Sequence, residues 1–166
     1  MIVHLAAVGR VRQAGVRQAC DEYAGRLRRY LRLEIHEVPE RSARGRPPDQ
    51  VRRLESESLR RAVPDRARVF VLSRTGVACD SIALAGMVAG WQRDARDVAL
   101  VVGGAFGVDL AALAPCEARL SLSALTLPHE LARLVLLEQL YRAGTILRGE
   151  PYHKSTDRPA RPARER

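Results

Sequence analysis

No apolar stretch in this 166-residue chain approaches the roughly 18 residues that a membrane-crossing helix needs. The amino terminus, MIVHLAAVGR, has neither the charged start nor the long apolar centre of a signal peptide, so the sequence predicts a cytoplasmic protein with no membrane partner. Cysteine is scarce as well. Cys20, Cys79 and Cys116 are odd in number, form no CxxC pair, and have no histidine at zinc-ligand spacing. Reduced thiols and no metal are expected. With no internal repeat and no interdomain linker, a single domain over residues 1–154 is expected. Acidic charge also falls short: 19 Asp+Glu face 28 Lys+Arg, a formal net charge of +9, and nearly all the cations are arginine. The planar guanidinium fork suits phosphate better than a lysine point charge does, so a polyanionic partner is indicated, although an arginine-rich proteome would give the same composition. Residues 155–166 combine prolines and cations with no apolar run, which predicts a disordered basic tail.

What the chain does contain is an alternation of short apolar runs with longer periodic segments. Ile2 to Val8, Leu33 to Val38, Val69 to Leu72, Val98 to Val102 and a stretch near Arg119 to Leu122 read as strands. Between them, helices are expected from about Gln13 to Leu31, from Gln50 to Ala62 behind an Asp49 cap, and from Asp80 to about Arg93 with Ile82, Leu84, Met87, Val88 and Trp91 inward. A short helix is expected after Asp109, and a long one from Glu130 to Ala143. Strands separated by helices imply an α/β fold, a parallel sheet with helices on both faces.

Four segments carry chemistry. The loop ERSARGRPPD, from Glu40 to Asp49, has three arginines and no apolar residue larger than alanine, and is the best internal candidate for a mobile basic loop. GGAFG, Gly103 to Gly107, follows a strand; its glycines either make a plain tight turn or let a ligand approach the backbone, and they do not match the dinucleotide fingerprint GxGxxG. SLSALTLPH, Ser121 to His129, interleaves hydroxyls with leucines at a strand end. Its backbone polar groups need partners, which either a ligand such as adenine or a helix cap at Thr126 would supply. The following helix spreads Leu131, Leu134, Val135, Leu136, Leu137, Leu140 and Tyr141 around nearly its whole circumference, so a second subunit is expected to cover one side. Glu138 and Arg142 lie four apart and can pair. Pro151-Tyr152-His153 follows the last regular element.

Taken in order, VGR, EYAGRLRRY, GGAFG, SLSALTLPH, LARLVLLEQLYRA and EPYHK resemble the SPOUT class of S-adenosylmethionine (SAM) methyltransferases, over almost the whole chain. Within that class they resemble the bacterial branch that methylates N3 of a pseudouridine in helix 69 of 23S ribosomal RNA. The resemblance implies a parallel α/β sheet with a carboxy-terminal trefoil knot, a homodimer, SAM as cofactor and the 70S ribosome as partner. It places SAM binding on Leu72, Gly103, Gly104, Leu122, Ser123, Ala124, Leu125, Thr126 and Leu127. It places the substrate end on His129, Arg142, Tyr152 and His153; His153 is one candidate base, and Arg142 can face charge developing on the uracil oxygens. Two positions depart from the pattern: Ser73, where aspartate is frequent, and Gly144, where a large residue is usual. A catalytically silent ribosome-binding or assembly factor that kept the fold is the alternative, and a nucleotide-binding regulator using the GGAFG turn is another.

Overall fold

The computed structural model of the chain describes residues 1–153, so the expected basic tail lies outside the described residues. Strand β1 (Ile2–Val8) leads to helix α1 (Ala14–Leu27), then β2 (Arg32–Val38), α2 (Pro48–Ala62), β3 (Arg68–Ala78), α3 (Ser81–Asp94), β4 (Val98–Val102), β5 (Ala118–Ser121) and α4 (His129–Leu147). The strands form one sheet in the order β2-β1-β4-β3-β5, with every neighbouring pair parallel. The α/β architecture expected from the alternation is the one found.

Period-two alternation along the central strands sorts the core into two layers. Val3, Leu5, Ala7, Phe70, Val98, Leu100 and Val102 point to one face, where α1, α3 and α4 pack against them. Ala6, Val8, Val69, Val71, Ala99 and Val101 point to the other, covered by Leu59 and Val63 at the end of α2 and by Leu113. Both faces of β1 and β4 are therefore sealed, which is why these strands read as unbroken apolar runs.

Several boundaries differ from expectation. No helix follows Asp109. Its carboxylate accepts from the Ala111 and Ala112 amides and folds the chain into turns, and Pro115 constrains Ala114 away from helical geometry before a second turn can form. Helix α2 opens at Pro48 with Pro47 at the cap position, so Asp49 sits inside the first turn and is no cap. Asp80 does cap α3, accepting from the Ala83 amide at 2.7 Å. Ile82, beside the cap in the first turn of α3, is 55% exposed, whereas Leu84, Val88 and Trp91 are buried.

Strand β3 runs six residues past the expected Leu72 because it pairs with β5 twice. Leu72 and Val77 both face Leu120, and the intervening residues bulge over the β5 backbone. Gly76 marks the crossing: a Cβ there would lie 2.7 Å from the carbonyl carbons of Arg119 and Leu120. Only glycine fits so close an approach.

Helix α4 packs between α1 and α3. Its inner side is covered within one chain, and Leu137 is only 1% exposed. The all-round apolar helix inferred from the sequence is thus corrected: Leu136, Leu137, Leu140 and Ala143 belong to the core of the single chain. A Leu137→Asp change would break that core and would not report on association. What remains outward is a stripe at three- and four-residue spacing, from Leu131, 39% exposed, through Leu134, Val135 and Glu138 to Arg142.

Candidate active site

In open parallel sheets, ligands bind in the crevice beyond the carboxyl ends of the strands. There the turn after β4, the bulge of β3 and the loop after β5 enclose a cleft of about 970 Å³. Leu72, Gly103, Gly104, Leu122, Ser123, Leu125, Thr126 and Leu127 all line it, as does His129 at the start of α4. Ala124 is the exception among the nine residues assigned to SAM: it is exposed and does not line the cleft.

The glycine turn is fixed by the protein itself. The Gly107 amide donates to the Gly104 carbonyl at 3.1 Å, and Gly107 takes a φ of 75°, a left-handed conformation that suits glycine. A Cβ at Gly103 would sit 2.7 Å from the Gly107 carbonyl oxygen, and one at Gly104 would sit 2.6 Å from Glu55 Oε2. Open backbone at Gly104 would let a ligand approach, but a side chain there would not meet the ligand first. The first collision is with the Glu55 carboxylate.

The loop after β5 organises part of its own polarity. Ser121 Oγ donates to the Ser123 carbonyl at 2.9 Å, and Ser123 Oγ accepts from the Leu125 amide at 2.9 Å. Thr126 is not a helix cap. Pro128 occupies that position, and no side chain caps α4. Ser73, at the cleft rim, closes a small turn with Thr75, its Oγ 3.1 Å from Thr75 Oγ1.

A second cleft of about 740 Å³ adjoins the first, and the two share Ala105 and Phe106. Its lining includes Arg10, Arg12, Arg17 and Arg41, the last from the basic loop, together with Glu37, Glu40 and Glu55. Arg12 pairs with Glu40 at 3.0 Å, and Arg17 donates to the Val11 carbonyl at 2.9 Å.

Two charged residues of this region were not foreseen. Arg133, on the inner face of α4, is 2% exposed; it donates to Glu37 Oε1 at 3.0 Å, to the Gly9 carbonyl at 2.7 Å and to the Val8 carbonyl. Burial pulls its pKa down, and the Glu37 carboxylate opposes that pull. The residue ties α4 to the end of β1 and to Gly9, which lines the basic cleft. Arg133→Met should therefore cost about 1–3 kcal/mol, because the buried Val8 carbonyl loses its donor while Glu37, a third exposed, regains water. Urea denaturation measures it, and a loss below about 1 kcal/mol would show the clamp to be dispensable. Glu55 is also 2% exposed. It accepts from the Arg41 amide at 2.9 Å while its other oxygen faces Gly104 without a partner, and burial pushes its pKa up. Both are charges inside helices that otherwise look solvated, and only their place on the inner stripe distinguishes them in the sequence.

The other proposed substrate residues do not join this cleft. Arg142 pairs with Glu138 and lies 4.8 Å from the centre of the Tyr152 ring. Tyr152 donates to Glu138 at 3.1 Å, meets the Tyr23 hydroxyl at 3.3 Å and stacks edge-on against Tyr141. Burial, then the bonds to Tyr23 and Glu138, hold its phenol well above the ordinary value, so it stays protonated. His129 and Arg142 are thirteen residues apart on one helix, about 20 Å at 1.5 Å per residue. One chain cannot bring them to the same substrate atom.

Gly144 is explained by its neighbour. A Cβ there would lie 2.5 Å from Cγ of Tyr30, whose ring occupies the space that a larger residue would take. Tyr30 is anchored through its hydroxyl to Glu150 Oε2 at 2.5 Å.

Residues 1–153 match the family described as "Predicted SPOUT methyltransferase". This chain belongs to that SPOUT methyltransferase family. Its curated relatives include proteins named "Ribosomal RNA large subunit methyltransferase H". One from Anaeromyxobacter sp. (strain Fw109-5) is 48% identical over 93% of this chain and 100% of its own length. Another, from Gemmatimonas aurantiaca, is 46% identical over the same shares. A solved structure, "a probable methylase family protein from Haemophilus influenzae Rd KW20", superposes with a TM-score of 0.56 at 15% identity, covering 92% of this chain and 70% of that one, which supports the SPOUT fold. Among the described residues, no helix is long and apolar enough to cross a membrane.

Proposed function

We propose that this chain is a SAM-dependent methyltransferase that modifies N3 of a pseudouridine in helix 69 of 23S ribosomal RNA, acting in the cytoplasm as a homodimer on the assembled 70S ribosome. The observation that carries this reading is the meeting of the two clefts at Ala105 and Phe106: one combines leucine walls and the open glycine turn with Arg52, Arg74 and Arg119, and the other sets four arginines among three glutamates. A donor site beside a phosphate-binding site is what methyl transfer to RNA requires. The name borne by the curated relatives agrees with it.

The larger cleft fits SAM chemically. Leu72, Leu122 and Leu127 give it apolar walls, and the Gly103–Gly104 turn brings backbone within reach of a ligand, the usual construction of a small-molecule site. When bound, SAM supplies an activated methyl group on a sulfonium. The chain must then hold the uracil ring in line and exclude water. We assign removal of the N3 proton to His153, charge stabilisation at the uracil oxygens to Arg142, and contact with the nucleotide to Tyr152. Because Arg142 lies about 20 Å along α4 from His129, these groups serve the cleft of a second copy, with the outward stripe of α4 as the contact. We read the tight passage of residues 73–79 over β5 as part of the trefoil knot. The departures at Ser73 and Gly144 give no support to a silent assembly factor, since one closes a local turn and the other is filled by Tyr30.

The direct test is mass spectrometry of helix 69 nucleosides from cells with and without the gene. Deletion should remove the N3-methylated pseudouridine, and an unchanged nucleoside profile would overturn the assignment.

A further inference from the structure

His4 is the one residue of β1, IVHLAAV, that an apolar strand does not call for, and it is only 2% exposed. Parallel pairing of β1 with β2 sets His4 against Glu34 and Ala6 against His36. Residues two apart on a strand share a face, so His4, Glu34 and His36 converge on the α2 side of the sheet. His4 Nδ1 lies 2.9 Å from His36 Nε2 and 3.5 Å from Glu34 Oε2. His4 Nε2 is buried without a hydrogen-bond partner, and Asp97 Oδ2 stands 4.0 Å from it. The other oxygen of Asp97 is taken by the Ile2 amide at 2.7 Å.

A neutral His4 ring carries one N–H for two directions, Nδ1 toward His36 and Glu34 and Nε2 toward Asp97. If the proton sits on Nδ1, a buried lone pair at Nε2 faces a carboxylate. If it sits on Nε2, pointing at Asp97, the Nδ1 lone pair converges with donors from His36 and Glu34. The second arrangement turns Nε2–H toward Asp97 and leaves Nδ1 to take either a proton donated by His36 Nε2 or a cation shared with His36 and Glu34.

We propose that His4 Nδ1, His36 Nε2 and the Glu34 carboxylate form a site for a borderline divalent cation of the zinc type, with Asp97 as the carboxylate behind the buried histidine. Metal–donor bonds of roughly 2.0–2.1 Å at tetrahedral angles put donors about 3.3 Å apart, between the two separations seen here. Two imidazoles and one carboxylate favour zinc, cobalt or nickel over magnesium or calcium, which prefer all-oxygen sites. A carboxylate behind a ligating histidine fixes its tautomer, the role available to Asp97. Glu34 retains 41% side-chain exposure, which leaves a path for the ion and a position for water. None of the four residues lines either cleft, so the ion would not act in methyl transfer. It would staple β2, the edge strand, to β1.

The full-length protein, stripped with a chelator, should be titrated with Zn²⁺ against a chromophoric competitor and with Co²⁺ by visible absorption. The expected result is one ion per chain with micromolar or tighter affinity and a tetrahedral Co²⁺ spectrum. His36→Ala, at a partly exposed edge position that the fold tolerates better than a change at His4, should weaken binding about a hundredfold or more, and Asp97→Asn by about 10–100-fold. A simple hydrogen bond between the imidazoles would give no stoichiometric uptake and would overturn the proposal. Uptake unaltered by His36→Ala, pointing to the thiols or to His153, would overturn it equally.

Discussion

Mixing an Arg142→Ala chain with a Thr126→Trp chain should restore about a quarter of wild-type methyl transfer, although each variant alone is nearly inactive. Thr126 is exposed and lines the larger cleft, so tryptophan there fills the cleft without entering the core. Arg142→Ala removes a cation on the far part of α4, and loss of charge stabilisation of this kind costs about a hundredfold or more in rate. It should leave the fold intact, because Glu138 keeps hydrogen bonds from Gln139 and Tyr152 when the partly buried pair is broken.

The recovery depends on geometry. If each site takes its cleft from one chain and Arg142 from the other, a mixed dimer holds one site with both defects and one with neither. Random pairing makes half the dimers mixed, and half of their sites are sound, hence about one quarter. Subunit mixing followed by tritiated SAM transfer to ribosomes measures it. If cleft and arginine acted from the same chain, every site in the mixture would carry a defect and no activity would return. SAM titration of Arg142→Ala supplies the control: its affinity should match wild type, and a loss would move Arg142 into the cofactor site.

The strand pattern was legible because burial on both faces leaves an unbroken apolar run, as Val98 to Val102 shows. The glycine turn and the serine loop could be located for a related reason: both follow such strands and carry polar backbone that needs partners. Contacts made across the sheet were not legible. Arg133 and Glu55 lie in helices of mixed composition, and their burial depends on which face meets β1 and the glycine turn. The His4, Glu34 and His36 cluster was missed because the expectation of no metal rested on spacing along the chain, while its donors meet only through strand register. Gly144 looked like a departure of unknown effect until Tyr30, more than a hundred residues earlier, was seen to fill the gap. The α4 stripe was read too broadly, since periodicity marks which residues are apolar and not which neighbour covers them.

Methyl transfer should be strong on whole ribosomes lacking the mark and at least about tenfold weaker on naked 23S RNA or a helix 69 oligonucleotide. The chain has little surface for reading base edges. Its described residues form one sheet with its helices, and the arginines at the smaller cleft suit phosphate, which positions RNA without specifying sequence. Selection must then come from shape, with the ribosome holding helix 69 in one pose while the pseudouridine turns out toward the cleft. The basic loop supplies the grip: Arg41, Arg44 and Arg46 lie in an exposed segment between β2 and α2, and Arg41 borders the cleft. Phosphate contacts release counterions, so transfer should fall as salt rises, and replacing Arg44 and Arg46 by alanine should flatten that dependence by one to two contacts' worth, about 0.7–0.9 in log–log slope for each. Neither arginine lines the larger cleft, so SAM affinity in that double variant should be unchanged. Equal transfer to the bare oligonucleotide would mean that helix 69 alone carries the recognition and that the ribosome's shape is not being read.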